Sequence, residues 1–346
     1  MTLSEFSYYF RRYLPWGLLF FIFLMIIFYS FRLIFLLFEP KSNAIYQNPI
    51  FGKIKKPYIK EASTSAGFNF VLDTIEGVPI TATSTAKVYF IPPTVARLGY
   101  REKIFLMAKN FGFDTSSAQY KLNEVEAEFS DEKQKLTVDI TNFNFRYDYN
   151  FADDSSLFEE MNIPSQNMIE NTAINFLKTI NRYPNELSKG KLTVNFLKYY
   201  PTEKIFSSVK NNEEANVVEV NFYRPDLEQI VVVAPNFPSS QNFILLVFNR
   251  QGYKILRAQI KFFEKSADQY GVYPLNTGDK IWEKLKKGEG LIISSSDKKD
   301  VVIKNMFLAY FDPDLYQEYF QPVYVFVGEP NFIAYVPAVI DDYLTD

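Results

Sequence analysis

The stretch PWGLLFFIFLMIIFYSFRLIFLLF, Pro15 to Phe38, constrains this chain more than any other part of it. As a helix, its 24 residues would run roughly 36 Å, enough to cross a bilayer with some tilt. Trp16 at one end is suited to the membrane interface, and Arg11 and Arg12 stand just outside the run. Arg32 is the one charge within it, about one and a half turns from the far end. From there it can snorkel to the headgroups or pair with a partner helix. A cleaved signal peptide would have a shorter apolar core and a small-x-small cleavage site, and FEPKSNAIY offers none. The arginine pair faintly resembles a twin-arginine signal, but its surroundings do not match one. The run therefore reads as an uncleaved membrane anchor. Basic residues flank both ends, with Lys41, Lys53, Lys55, Lys56 and Lys60 on the far side. Long domains translocate largely regardless of charge, so the expected topology is a single pass at the cell membrane, N-terminus cytoplasmic and bulk extracytoplasmic.

Composition bounds the rest. With 22 % charged and 47 % hydrophobic residues, the 346-residue chain is globular and long enough for two or three compact units. Aromatic residues reach 18 %, carried by 35 Phe and 24 Tyr, which favours strands and filled interiors. A net charge of −3 and the lack of a basic patch argue against a nucleic-acid partner. There is no histidine and no cysteine. Ser-His-Asp and Cys-His catalysis, thiolate zinc sites and haem attachment are thereby excluded. Acid-base work would fall to carboxylates, Lys or Tyr, and a metal site would have to be built from oxygen alone. The glycines are scattered, so no phosphate-cradling loop is present and no cofactor is expected.

The fold class that follows is α+β: a transmembrane helix, then helices packed on antiparallel β-sheets in two or three units. Residues 1–14 form a short tail and 15–38 the anchor; 39–66, polar and holding Pro40, Pro49 and Pro57, read as a tether. Three α+β units follow at 67–160, 161–268 and 269–346. In the first, AKVYFIPP is a strand, and Ile104, Met107, Ala108 and Phe111 share one helical face closed by Gly112. NEVEAEFS and KLTVDITNFNFRYDY then form a long hairpin about DEKQ. In the second, Ser165 is a candidate N-cap for a helix that turns Ile169, Ala173, Phe176 and Ile180 inward. Strands follow, with a hairpin turning at Asn249 to Gly252. In the third, Thr277 caps a helix with Ile281, Trp282 and Leu285 inward and Gly288 at its end. The closing QPVYVFVGEPNFIAYVPAV is apolar on both alternating faces, so it should be a hairpin covered on two sides, one of them by that helix.

Carboxylates are the catalytic groups left to weigh. FDPDLYQEYF brings Asp312, Asp314 and Glu318 together, and FADDSS pairs Asp153 with Asp154. Neither has the spaced loop of an EF-hand, and such runs are more often Asx turns and solvated loops. There is no Ser-x-x-Lys spacing on a helix and no Gly-x-Ser-x-Gly elbow. Tyr199, Tyr200, Tyr310, Tyr316 and Tyr319 would make a carbohydrate or peptide platform if exposed, and core if buried, which is the commoner outcome. Tyr310, Asp312, Asp314 and Tyr316 are the candidate ligand or partner surface.

The last fifth of the chain adds a resemblance. YPLNTGDKIWEKLKKGEGLI, IKNMFLAYFDPDLYQEYFQPVYVFVG and FIAYVPAV are similar to the end of the YycH and YycI regulatory-protein family. The matching positions are Trp282, Leu285, Gly288, Leu308, Ala309, Tyr310, Pro322, Tyr324, Tyr335, Val336 and Ala338. The resemblance spans residues 272 to 340. It implies a single-pass membrane protein with an extracytoplasmic α+β domain that regulates a sensor histidine kinase, and it brings no catalytic residues. The expectation is a non-enzymatic, membrane-anchored protein contacting an envelope partner. The alternatives are a ligand-binding domain for wall glycan or peptide and, remotely, a carboxylate-based hydrolase.

Overall fold

The computed structural model describes residues 3–38, 46–60, 62–158, 161–210, 212–250, 252–295 and 298–345. Helix α1 (Leu3–Phe38) begins well before the apolar run, so the expected tail is already helical. Within it, Leu14–Arg32 is 19 residues with mean hydropathy 2.2, long and apolar enough to cross a membrane. Residues 39–45 of the expected tether lie outside the described residues.

The second unit, Gln47–Asp346, is compact by itself. Its chain first lays down β1 (Ile54–Lys55), β2 (Ser63–Thr64), β3 (Asn69–Leu72) and β4 (Thr85–Phe90). Helix α2 (Tyr100–Asn110) leads into β5 (Gln119–Leu122), β6 (Glu126–Ser130), β7 (Gln134–Asp139) and β8 (Phe145–Tyr149). Helix α3 (Gln166–Thr179) leads into β9 (Leu192–Tyr200), β10 (Ile205–Ser208), β11 (Val217–Phe222), β12 (Val231–Val233), β13 (Phe243–Asn249) and β14 (Gly252–Ile260). After β15 (Tyr270–Pro274) come α4 (Gly278–Lys286), β16 (Leu291–Ser294), β17 (Asp300–Phe311) and β18 (Tyr319–Phe320). The chain closes with β19 (Pro322–Glu329), β20 (Phe332–Pro337) and β21 (Leu344–Thr345).

The first two expected α+β units are one structure. Nine of their strands form a single sheet ordered β10-β9-β11-β13-β14-β8-β7-β6-β5, joined where β14 pairs antiparallel with β8, while β3, β4 and β12 pair in other sheets. The first half is a helix followed by an antiparallel meander, the second a helix followed by antiparallel strands with β10 at the outer edge beside β9, and the halves meet through their last strands. The apolar faces of α2 and α3 pack into one core with this sheet. Ile104, Met107 and Ala108 of α2 are buried, as are Ile169, Ala173, Phe176 and Leu177 of α3. Phe111 stacks on Tyr147 with ring centroids 4.2 Å apart and meets Phe176 edge-on at 4.9 Å, tying both helices to the sheet. Ser165 does stand at the N-cap of α3, but its side chain makes no capping bond.

A second sheet, ordered β12-β17-β19-β20-β16-β2, has β3 pairing in parallel with β17. The expected terminal hairpin is β19 and β20, and it is covered on both sides. Tyr324, Phe326, Phe332, Ala334 and Val336 face the core that includes Ile281 and Leu285 of α4. Val323, Val325, Ile333 and Tyr335 face a separate cluster with Ile59 and Val233. A three-stranded sheet, β15-β4-β18, and the parallel pair β1-β21 complete the unit.

These pairings revise the tether. Residues 54–60 and 62–65 are bound into the C-terminal part of the unit: β1 pairs with β21 and β2 with β16. Ile54 and Ile59 are buried, and the buried Ser65 hydroxyl donates to Leu285 O at 2.7 Å. The backbone reason is that a polar segment needs partners for its N–H and C=O groups, and free sheet edges supply them. Buried tyrosines hold the same region. The Tyr324 hydroxyl accepts from Ala82 N at 3.1 Å, and that of Tyr273 accepts from Phe51 N at 3.1 Å.

Candidate functional site

The four residues expected to form one exposed surface do not do so. Tyr310 is fully buried against Tyr89 and Phe320. Asp312 is only 3 % exposed. Asp314 is half-buried, with Lys261 Nζ at 3.3 Å. Of the four, Tyr316 alone is on the surface, and its hydroxyl donates to Ile91 O at 3.0 Å. Tyr199 and Tyr319 are buried as well, while Tyr200 is exposed, so three of the five tyrosines weighed for a platform are core. The reason lies in β17, whose last residues sit between β12 and β19 and carry Tyr310 into the interior. Asp154 accepts from the Ser156 hydroxyl at 2.6 Å in an Asx-type loop, while the side chain of Asp153 lies outside the described residues. In α1, Trp16 and Arg32 are exposed, and the side chains of Arg11 and Arg12 lie outside the described residues.

Asp312 belongs to a buried ionic knot. Arg224, its side chain wholly out of solvent, brings Nε to 2.9 Å from Asp312 Oδ1, close enough to pair but off-line for a hydrogen bond. Its Nη1 reaches Glu186 Oε1 at 3.4 Å, and Nη2 donates to Phe263 O. The guanidinium lies 3.8 Å over the Phe262 ring. Burial pushes the Asp312 carboxyl up to about 6 even though Arg224 pulls it down. The knot joins the end of β11, the segment after α3, the exit of β14 and the end of β17. This is a clasp between the two large sheets. Among the described residues, no three acidic side chains gather to hold a metal ion.

A cleft of about 460 Å³ lies beside this clasp. Its walls come from the segment between β4 and α2 (Ile91, Pro92, Thr94, Arg97), Lys103 of α2, the β7–β8 turn, the end of α3 and the exit of β14. Two walls are set by local chemistry. After Thr179, Asn181 takes a left-handed φ of 52°, Asn181 N donates to Lys178 O at 2.9 Å and Arg182 N to Leu177 O at 2.8 Å. This Schellman ending stops α3 and turns Arg182 into the cleft wall. The β7–β8 turn is built on Asp139, which accepts from Thr141 N at 2.7 Å, the Thr141 hydroxyl at 2.6 Å and Asn142 Nδ2 at 2.9 Å. Phe143 there is held at a φ of 61°, a conformation costing a non-glycine residue on the order of 1 kcal/mol or more.

Asn144 locks the walls together. Its buried side-chain oxygen accepts from Phe262 N at 2.9 Å and from Arg182 Nη2, which also donates to Phe262 O at 3.0 Å. Burial draws the Arg182 guanidinium down to about 10, against the pull of Glu264 and Asp139, so it stays charged at neutral pH. Lys103 Nζ sits 4.4 Å over the Phe143 ring. The lining thus carries Arg97, Lys103 and Arg182 against Glu264 alone, with Asn and Thr side chains around an aromatic floor. Such a site can hold and orient a small polar ligand. KLTVDITNFNFRYDY, expected as one strand, is thus two strands about a turn, and the Asp-x-Thr-Asn cluster inside it is the signal that marks the turn.

No family model matches the sequence, and no curated protein matches it. Among solved structures, an uncharacterized protein from Eubacterium rectale ATCC 33656 is similar over 77 % of this chain and 87 % of its own. The identity is 14 % and the TM-score 0.33, a level that carries no inference about function.

Proposed function

We propose that this is a membrane-anchored, non-enzymatic protein of the cell envelope that acts through contacts made by its folded unit. The observation that carries the reading is the Leu14–Arg32 segment, apolar enough to span a bilayer and attached to a large, histidine- and cysteine-free α+β unit. Two further points support it. The carboxylates that a hydrolase reading would use, Asp312 and Asp314, are engaged by Arg224 and Lys261. The similarity of residues 272 to 340 to the YycH and YycI regulators makes a sensor histidine kinase the first partner to test, with the folded unit outside the cytoplasm.

The test is crosslinking and co-purification of the full chain from native membranes, with protease added to intact cells whose wall has been removed. The folded unit should be cleaved from outside, and a kinase should be recovered with it. Recovery in the soluble fraction, or protection from external protease, would overturn the topology. Loss of nothing on replacing the anchor and recovery of no envelope protein would overturn the contact reading. A second reading, a ligand-binding unit for wall glycan or peptide, is favoured by the polar, aromatic-floored cleft. Retention of the full chain on purified cell wall tests it.

A further inference from the structure

The geometry points to the cleft around Arg182 as a binding site for an oxyanion, a carboxylate or phosphate carried by a small polar ligand. This inference rests on the ligand-binding reading and assigns the class of ligand. Arg182 decides the matter. Its Nη2 is committed to Asn144 and Phe262 O, and its Nε is shut from solvent without an acceptor. No carboxylate among the described residues stands within ion-pairing distance of it. The contrast with Arg224 is instructive: that guanidinium has both Asp312 and Glu186. A guanidinium drawn out of water without a carboxylate in contact is costly to keep, and an incoming oxyanion supplies a direct partner.

The donor is also fixed in advance. Asn144 and the Schellman ending of α3 hold Arg182 from two sides, so it cannot swing out to water as a surface arginine does. Lys103, steadied over Phe143, and Arg97 add positive charge to the same cavity, against Glu264 alone. At about 460 Å³ the cleft suits a ligand the size of a monosaccharide or a short peptide end. Two other cavities carry a smaller positive excess, Lys55 and Lys56 against Glu318 in one and Lys254 by itself in the other. The one beside Tyr310 has Glu228 as its charge, and Glu228 already pairs with Lys87.

The experiment is calorimetric titration of the full chain in detergent micelles with three oxyanion probes: glucuronic acid, N-acetyl-trialanine and inorganic phosphate. Glucose and N-acetyl-trialanine amide are the neutral counterparts. At least one oxyanion should bind about tenfold or more tightly than the neutral compounds, glucose and the tripeptide amide, as expected for one charge-assisted hydrogen bond. Which probe binds identifies the source as sugar acid, peptide terminus or phosphate. Because R182Q removes a structural bond, the deciding variant is R97Q/K103Q, whose unfolding transition should match the wild type. It should weaken the oxyanion several-fold and leave the neutral compounds alone. Unchanged binding in a well-folded R97Q/K103Q would overturn the site. If no oxyanion outbinds the neutral compounds, the ligand class is wrong; retention on purified cell wall in that case would leave the ligand-binding reading standing.

Discussion

The buried pair of Arg224 and Asp312 yields a prediction whose pH dependence is its signature. Arg224→Met keeps most of the side-chain volume over Phe262 and Phe320 but removes the guanidinium. Glu186 retains Lys265 at 3.2 Å, so Asp312 is the group left without a cation. Breaking a buried pair from one side costs about 3–5 kcal/mol when the remaining charge is stranded. That figure should hold near pH 8. Asp312 sits at about 6 with Arg224 in place, raised by burial above the ordinary carboxylate value of 3.8, and losing the cation moves it higher still. A carboxyl raised in the folded state binds its proton more tightly there than in the unfolded chain, so protonation favours folding. The wild type therefore gains stability as pH falls through 6 and levels off near the unfolded value of 3.8. The variant begins that gain at higher pH. Between its Asp312 value and 6, the difference between the two proteins should shrink by about 1.4 kcal/mol per pH unit. Below pH 5 or so it should stay constant, leaving the loss of the donor to Phe263 O. Urea unfolding of the full chain in micelles, followed by circular dichroism from pH 5 to 8, measures this. The volume-matched double variant R224M/D312L should recover most of the deficit and lose the pH dependence. A cost that is the same at pH 8 and pH 5.5, or a double variant no better than the sum of the singles, would refute the reasoning.

Other expectations are simpler. Phe111→Ala should cost about 3–5 kcal/mol in the same unfolding assay, because Phe111 is buried where α2, α3 and Tyr147 meet. Gly190→Ala should be severely destabilising, since a Cβ there would lie 1.7 Å from Tyr223 O, next to the ionic knot; a shift in midpoint within error would contradict the close approach. Helix α4 takes its N-terminal acceptor from outside the helix. Gly278 N donates to the Thr81 hydroxyl at 2.8 Å, while Thr277 makes no side-chain cap bond. Thr81→Val should thus cost about 0.5–2 kcal/mol and Thr277→Ala much less, the reverse of what the sequence position suggests.

What could be read from sequence here follows from how far each signal reaches along the chain. The hairpin of β19 and β20 is legible because both of its alternating faces are apolar, and only a strand covered on both sides tolerates that. The inner faces of α2, α3 and α4 are legible for the same local reason, a helical period carried by a few apolar residues. The β7–β8 turn was hidden because Thr-Asn-Phe-Asn continues the alternation of the strands around it, so the turn rests on hydrogen bonds to Asp139 and not on hydropathy. The merging of the first two units was hidden for a different reason. Both halves end in strands with complementary edges, and hydropathy says which face of a strand is buried, not which edge finds a partner. The cleft is the extreme case. Arg182 meets Asn144 and Phe262 across 38 and 80 residues of sequence, and Phe262 meets Asn144 across 118. Each residue alone looks like ordinary loop polarity or core. Only the sheet, by laying β8 beside β14 and stopping α3 at Asn181, brings to the wall of a cavity a fixed guanidinium that has no ion-pair partner among the described residues. The proposed site thus sits where the two halves of the nine-stranded sheet join, at the positions that local patterning weighs least.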